Sequence, residues 1–181
     1  MTTERFKLAG WLAVTNAVLT IPILILSVFL RTKCGVGTSF LIVMLDIISL
    51  CLFIFIFSSL KQLFNSRFNF QDTDSFITFL IWANAAITML GILGTLSSAL
   101  KSFSGIVSLV LIIPSGIVFI VFAIKMLRLP DNLYGLLKPF AYTTIATGFF
   151  TATIILIPIA LFSSAVADII LGIIFFRAAE S

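Results

Sequence analysis

Charged residues occur along this chain in short clusters, and long apolar stretches separate them. The first stretch, 8–30, lies between Arg5/Lys7 and Arg31/Lys33 and holds 23 uncharged residues. Others run over about 39–57, 76–100 and 104–124, the last ending at Lys125. Crossing the hydrocarbon of a bilayer takes about 20 apolar residues in a helix, so each stretch predicts one transmembrane helix. The first is too long for the core of a signal peptide, and no small-x-small cleavage site precedes Arg31, so it reads as a retained helix.

The final stretch, 139–176, is uncharged except for Asp168. As one helix it would be roughly 57 Å long and would overshoot the membrane about twofold. It must therefore reverse. Small hydroxyl residues tolerate a tight turn, which places the reversal at Phe162-Ser163-Ser164, after Pro158. Helix five then ends near Leu161, and a short helix six follows from Ala165 to Arg177.

The expected fold is an all-α integral membrane protein of six transmembrane helices arranged as three tandem helical hairpins. With six crossings, one side carries Arg5, Lys7, Lys61, Arg67, Lys125, Arg128, Lys138 and Arg177, and the other carries Arg31, Lys33 and Lys101. That bias puts both termini in the cytoplasm. With no leader or sorting tail recognised, a plasma or bacterial inner membrane is the expected location.

A motif recurs in the odd helices. Thr15-Asn16-Ala17-Val18-Leu19-Thr20, Ala83-Asn84-Ala85-Ala86-Ile87-Thr88 and Ala146-Thr147-Gly148-Phe149-Phe150-Thr151 share one pattern of small, polar, small, two apolar and threonine residues. Trp11, Trp82 and Tyr142 precede them, and a base closes each following helix. The chain thus reads as one transmembrane domain, 1–181, built from repeats 1–68, 72–128 and 135–181. Repeats with an even number of crossings share one orientation and are related by rotation about the membrane normal.

Composition sharpens the picture. Hydrophobic residues make up 61% of the 181 positions and charged residues 10%, where soluble domains have roughly 25% charged; the mean hydropathy is +1.26. This excludes a water-soluble globule. The net charge of +4 is dispersed between spans, which is unlike a nucleic-acid-binding stripe. No histidine is present, and Ser49 and Cys51 have no base nearby, so no catalysis is expected. No cofactor is expected either. Cys34 and Cys51 read as free thiols, and Asp72-x-Asp74 reads as a helix cap.

The candidate chemistry is a polar path inside the membrane. Asn16, Asp46, Asn84, Thr147 and Asp168 all fall in predicted spans, where a carboxylate must face protein, face water or be protonated. The Asn and Asp positions are expected toward opposite membrane faces, with Asp168 shallow. Pro114-Ser115-Gly116 suggests a hinge or a break in helix four, and Gly91-Ile92-Leu93-Gly94 a close-packing face. Phe64 and Phe68 join Trp11, Trp82 and Tyr142 as a candidate interfacial belt. Leu60, Leu63, Phe64 and Phe68 suggest a helix in the headgroup plane or an extension of helix two. Leu133, Tyr134, Leu136 and Leu137 suggest an amphipathic segment ended by Pro139. The expected function is a small transporter or channel subunit for an ion or small solute. The alternative is a non-transporting accessory, assembly or stress-response protein. Expected partners are the lipid bilayer and a second copy or another membrane protein.

Overall fold

The computed structural model describes residues 2–32, 36–97, 99–129 and 132–180. Lys33 and Cys34 in the first connection, and Pro130-Asp131 in the fourth, lie outside the described residues. So does the side chain of Arg31. Six helices follow one another: α1 (Thr2–Thr32), α2 (Val36–Arg67), α3 (Asp74–Leu96), α4 (Lys101–Met126), α5 (Leu137–Ala152) and α6 (Ile157–Glu180). A short 3-10 turn (Leu133–Gly135) precedes α5. All except α5 are long and apolar enough to cross a membrane.

Each helix packs on its neighbour in sequence, and α6 returns to pack on α1 along the broadest seam of the bundle. The N-terminal turns of α1 meet the C-terminal turns of α6, where the Phe6 and Phe175 rings stack with centroids 6.2 Å apart. Both chain ends therefore lie at one end of the bundle. We call this the terminal end, and the opposite end, where α1 ends, α2 and α4 begin and residues 153–156 turn, the tip end.

The last reversal is not at Ser163-Ser164. The chain leaves α5 at Thr153, whose amide donates to the Phe149 carbonyl, and passes through Ile154 in the left-handed region at φ 56° before α6 begins. Proline explains the position. A helix running on through Pro158 would lose a backbone hydrogen bond and clash with the preceding turn, whereas proline fits the first turn of a new helix. Pro158 accordingly sits in the first turn of α6. The short helix is thus α5 at 16 residues, and α6 has 24.

The same rule corrects the fourth connection. Pro139 lies in the first turn of α5 and opens that helix instead of ending an amphipathic segment. Leu133 and Leu137 are buried in the core and Tyr134 and Leu136 are half-buried, so this stretch packs onto the bundle. The residues around Leu60 form an extension of α2, with Leu60, Leu63 and Phe64 fully buried. Phe64 therefore belongs to the core and not to an aromatic belt. Trp11, Trp82 and Tyr142 are all exposed. At the end of α2, left-handed Asn69 turns the chain so that the Phe64 carbonyl accepts from the amides of Phe68 and Phe70. Thr73 caps α3 through its backbone position alone, without the side-chain hydrogen bond expected there. Asp74 instead occupies the first helical turn, where the helix dipole favours a negative charge.

The core is concentrated at the terminal end. Phe6, Ile56, Leu60, Leu63, Phe64, Ile77, Leu80, Phe122, Met126, Leu133, Leu171 and Phe175 are the largest side chains fully removed from solvent, and all lie in that half. Toward the tips, helices meet through small residues. A Cβ on Gly116 would stand 2.7 Å from the Gly148 carbonyl oxygen, and one on Gly148 would stand 2.6 Å from that of Gly116. This α4–α5 contact uses the Pro114-Ser115-Gly116 segment. The helix runs unbroken through Pro114, and Ser115 hydrogen-bonds to the Leu111 carbonyl at 2.7 Å. The expected break is therefore absent, and the segment's distinctive feature is the close approach of α5 at Gly116. Of the Gly91/Gly94 pair only Gly94 is close-packed, against Ser104; a Cβ at Gly91 would meet nothing within 4 Å.

Candidate functional site

The inward faces of the helices can be followed upward from the core. On α1, Asn16 continues the buried stripe of Phe6, Ala9 and Ala13. On α6, Asp168 shares a face with Leu171, Phe175 and Ala178, and on α3 Asn84 shares one with Ile77 and Leu80. These spacings of three, four and seven residues place each polar side chain directly above the apolar packing. Asp46 lies likewise above Phe53, Ile56 and Leu60 on α2.

Asn16 and Asp168 meet. The Asn16 Nδ2 donates to Asp168 Oδ2 at 2.7 Å, joining the middles of α1 and α6. This overturns the expectation that the asparagine and aspartate positions lie toward opposite faces. Because α6 begins at Ile157, Asp168 stands at its midpoint and level with Asn16. On the same seam, a Cβ at Gly172 would stand 3.2 Å from the Gly10 carbonyl oxygen, which is why the helices come close enough for so short a bond.

Thr147 belongs to a second junction. Its hydroxyl lies 3.0 Å from Ser163 Oγ and 2.9 Å from the Thr143 carbonyl, and the Ser163 hydroxyl donates to that carbonyl at 3.0 Å. These groups tie α5 to α6. Ser163 and Asp168 are five residues apart on α6, roughly 7.5 Å along the axis and 140° around it. Thr147 therefore does not reach the Asn16–Asp168 pair. The serines read from sequence as a turn are instead part of a helix–helix contact.

Asp46 and Asn84 lie on adjacent helices but out of register. Lys61 pairs with Asp74 at 3.4 Å and hydrogen-bonds to Thr78 at 3.3 Å, which fixes how α2 and α3 run past each other. Counting up from these contacts puts Asp46 about 10 Å nearer the tips than Asn84. Both are half-buried. The five candidate residues thus form one bonded pair, one separate junction and two residues at different heights, not one continuous path. Sequence reasoning missed Ser163 because its only signal, a hydroxyl one helical face from the core, resembled a turn. Among the described residues no group of three or more His, Cys, Asp or Glu side chains is arranged to hold a metal ion. Cys51 is a free, exposed thiol.

No family model, curated protein or solved structure matches this chain. The functional reading therefore rests on the site itself. The molecule has the helices of a membrane protein, with a bonded polar pair at mid-height above an apolar floor.

Proposed function

We propose that this protein is a small membrane carrier, or one subunit of a carrier, that takes a cation or small hydrogen-bonding solute to the Asn16–Asp168 pair. The observation that carries the reading is the placement of that pair, at the middle of two long apolar helices and two to three helical turns above the stacked Phe6 and Phe175 rings. Carboxyl groups at that depth in a bilayer are costly and characteristically mark solute or proton pathways. The dense packing below favours a vessel that opens alternately over a permanently open channel. The approach to the pair is from the loosely packed tip half.

In this reading α5 crosses with the other five helices, although its 16 residues span only about 24 Å. Local thinning of the bilayer and cover from α4 and α6 accommodate the difference. Both termini are then cytoplasmic, in a plasma or bacterial inner membrane, with Arg5, Lys61, Arg67, Lys125 and Arg177 on that side. The three hairpins act as rotationally related repeats. A second copy of the chain supplies further lining, since a six-helix bundle of this size has little interior. No enzymatic step and no nucleic-acid contact enter the mechanism.

A second reading has a specific observation in its favour. Asn16–Asp168 and Thr147–Ser163 both join helices, which is what structural hydrogen bonds do in membranes. On that reading the protein is a non-transporting accessory or assembly component. Purified protein in proteoliposomes separates the two, with gradient-driven entry of Na+, K+ and protons as probes. The carrier reading expects entry above that of empty vesicles. Asp168→Asn abolishes it, because the isosteric amide keeps a hydrogen bond to Asn16 but removes the carboxyl group. Entry equal to that of empty vesicles, or entry unchanged in Asp168→Asn, assigns the pair to structure.

A further inference from the structure

A separate feature lies at the terminal end, outside the polar pair. Between the first turns of α1 and the last turns of α2 is an open cleft of about 500 Å³, lined by Arg5, Ser58, Lys61, Gln62, Asn65 and Ser66. The α2 residues recur at three- and four-residue spacing and so form one polar stripe on an otherwise apolar helix. Arg5 faces that stripe from α1, its guanidinium carbon 5.8 Å from the centre of the Phe55 ring.

The electrical balance of the cleft is incomplete. Lys61 is offset by Asp74, which also accepts from Asn65 at 2.9 Å. Lys7, two residues from Arg5, pairs with Glu4 at 3.8 Å. No carboxylate pairs with Arg5 among the described residues, and the aromatic face of Phe55 holds its guanidinium in place. Hydrogen bonding is incomplete too. Gln62 Oε1 and Asn65 Oδ1 are closed off beneath the cleft surface without a hydrogen-bond partner, which costs free energy until a side-chain rotation brings them to a donor.

We propose that this cleft binds a phosphate ester that carries hydroxyl groups. Arg5 supplies the planar fork of donors that fits phosphate oxygens, and Ser58, one turn along α2 from Phe55, lines the same part of the cleft. Hydroxyls on the ester pair with the polar side chains of the stripe, and a rotation of the Gln62 amide gives its unpartnered oxygen a donor. Arg5 precedes the apolar run of α1, and Lys61 follows that of α2. The cleft therefore lies at the height where hydrocarbon gives way to headgroups. The same chemistry is offered by a phosphoglycerol lipid headgroup and by a free polyol phosphate.

The test is a thermal-stability titration of the full-length protein in a neutral detergent. The probes are dioctanoyl phosphatidylglycerol, dioctanoyl phosphatidylcholine and glycerol 3-phosphate. The proposal expects saturable stabilisation by phosphatidylglycerol and little by phosphatidylcholine. Stabilisation by glycerol 3-phosphate identifies a free ester as sufficient; its absence assigns the site to the intact lipid; both uphold the cleft. Arg5→Gln weakens the apparent affinity roughly tenfold, the size expected for a charge-assisted bond. Lys7→Gln removes the same charge two residues away and leaves the affinity nearly unchanged. Ser58→Ala and Gln62→Ala weaken binding more mildly and carry the test if Arg5→Gln does not fold. Equal stabilisation by both lipids, or equal losses in Arg5→Gln and Lys7→Gln, overturns the proposal.

Discussion

In the terminal half of the bundle Phe6, Phe64, Phe122 and Phe175 are 0–1% exposed. No described side chain in the tip half is so completely enclosed. The same helices run through both halves, so helix formation does not make the difference. What differs is the residue type on the inward faces. Near the terminal end these faces present Phe, Leu, Ile and Met, which are long enough to fill the space between helices. Toward the tips they present mostly Asn, Asp, Ser, Thr, Gly and Ala, with Leu30 and Ile42 the large apolar exceptions, and these small residues bring two helices together but cannot fill the centre of a ring of six. In lipid no hydrophobic drive pulls helices together, so association depends on packing and hydrogen bonds. Large residues close one half of this molecule, and pairwise contacts between small residues hold the other.

The sharpest way to break this comparison is to truncate a side chain in each half. Phe122→Ala removes a ring with no exposure from the floor and should cost about 3–5 kcal/mol, as for other buried aromatic residues. Ile113→Ala, at the residue just before Pro114 and 40% exposed, should cost less than about 1 kcal/mol. Reversible unfolding in mixed micelles measures both. Equal losses would mean that the tip half is packed as tightly as the floor.

A smaller effect is expected where helices meet backbone to backbone. Gly148→Ala places a methyl group 2.6 Å from the Gly116 carbonyl oxygen, so α4 and α5 must separate, at a cost of about 1–3 kcal/mol. Gly91→Ala meets nothing within 4 Å and should be neutral or slightly stabilising, because alanine is the better helix former. The same unfolding assay ranks the two. A neutral Gly148→Ala would remove the argument that small residues hold the tip half.

The apolar runs made the helices legible, and the buried extension of α2 follows from its continued three- and four-residue spacing. Reading went astray at proline. Pro139 and Pro158 look like stops to anyone tracking a helix from its N-terminal side, yet each lies in the first turn of the helix that follows. That inversion misplaced one turn by about two helical turns and made Asp168 look shallow. Once α6 starts before Pro158, Asp168 falls level with Asn16 and their pairing becomes accessible to reasoning. The register of α2 against α3 was not legible, because it depends on Lys61, Asp74 and Thr78 meeting across a connection whose path sequence does not fix. A repeat motif can equate Asn16 with Asn84, but it carries no information about the height of the partner helix.

The smallest effect bears directly on the polar pair between the two halves. Asn16→Ala, Asp168→Ala and the double variant form a thermodynamic cycle on one hydrogen bond. Bonds between helices in membranes average about 0.6 kcal/mol and reach roughly 1.7. The 2.7 Å bond to a carboxyl oxygen should fall toward the upper part of that range. Asn84→Ala with Asp168→Ala is the control, since no bond connects them and their effects should add. A coupling near zero for Asn16 and Asp168 would show that apolar packing along the seam, including the Phe6–Phe175 stack and the close approach at Gly10 and Gly172, holds α1 to α6 without this bond. The polar pair would then be available to a solute at almost no structural cost, which strengthens the carrier reading. A large coupling makes the pair a fastener that a solute must displace. Binding would then require a ligand whose own contacts with Asp168 replace the Asn16 amide.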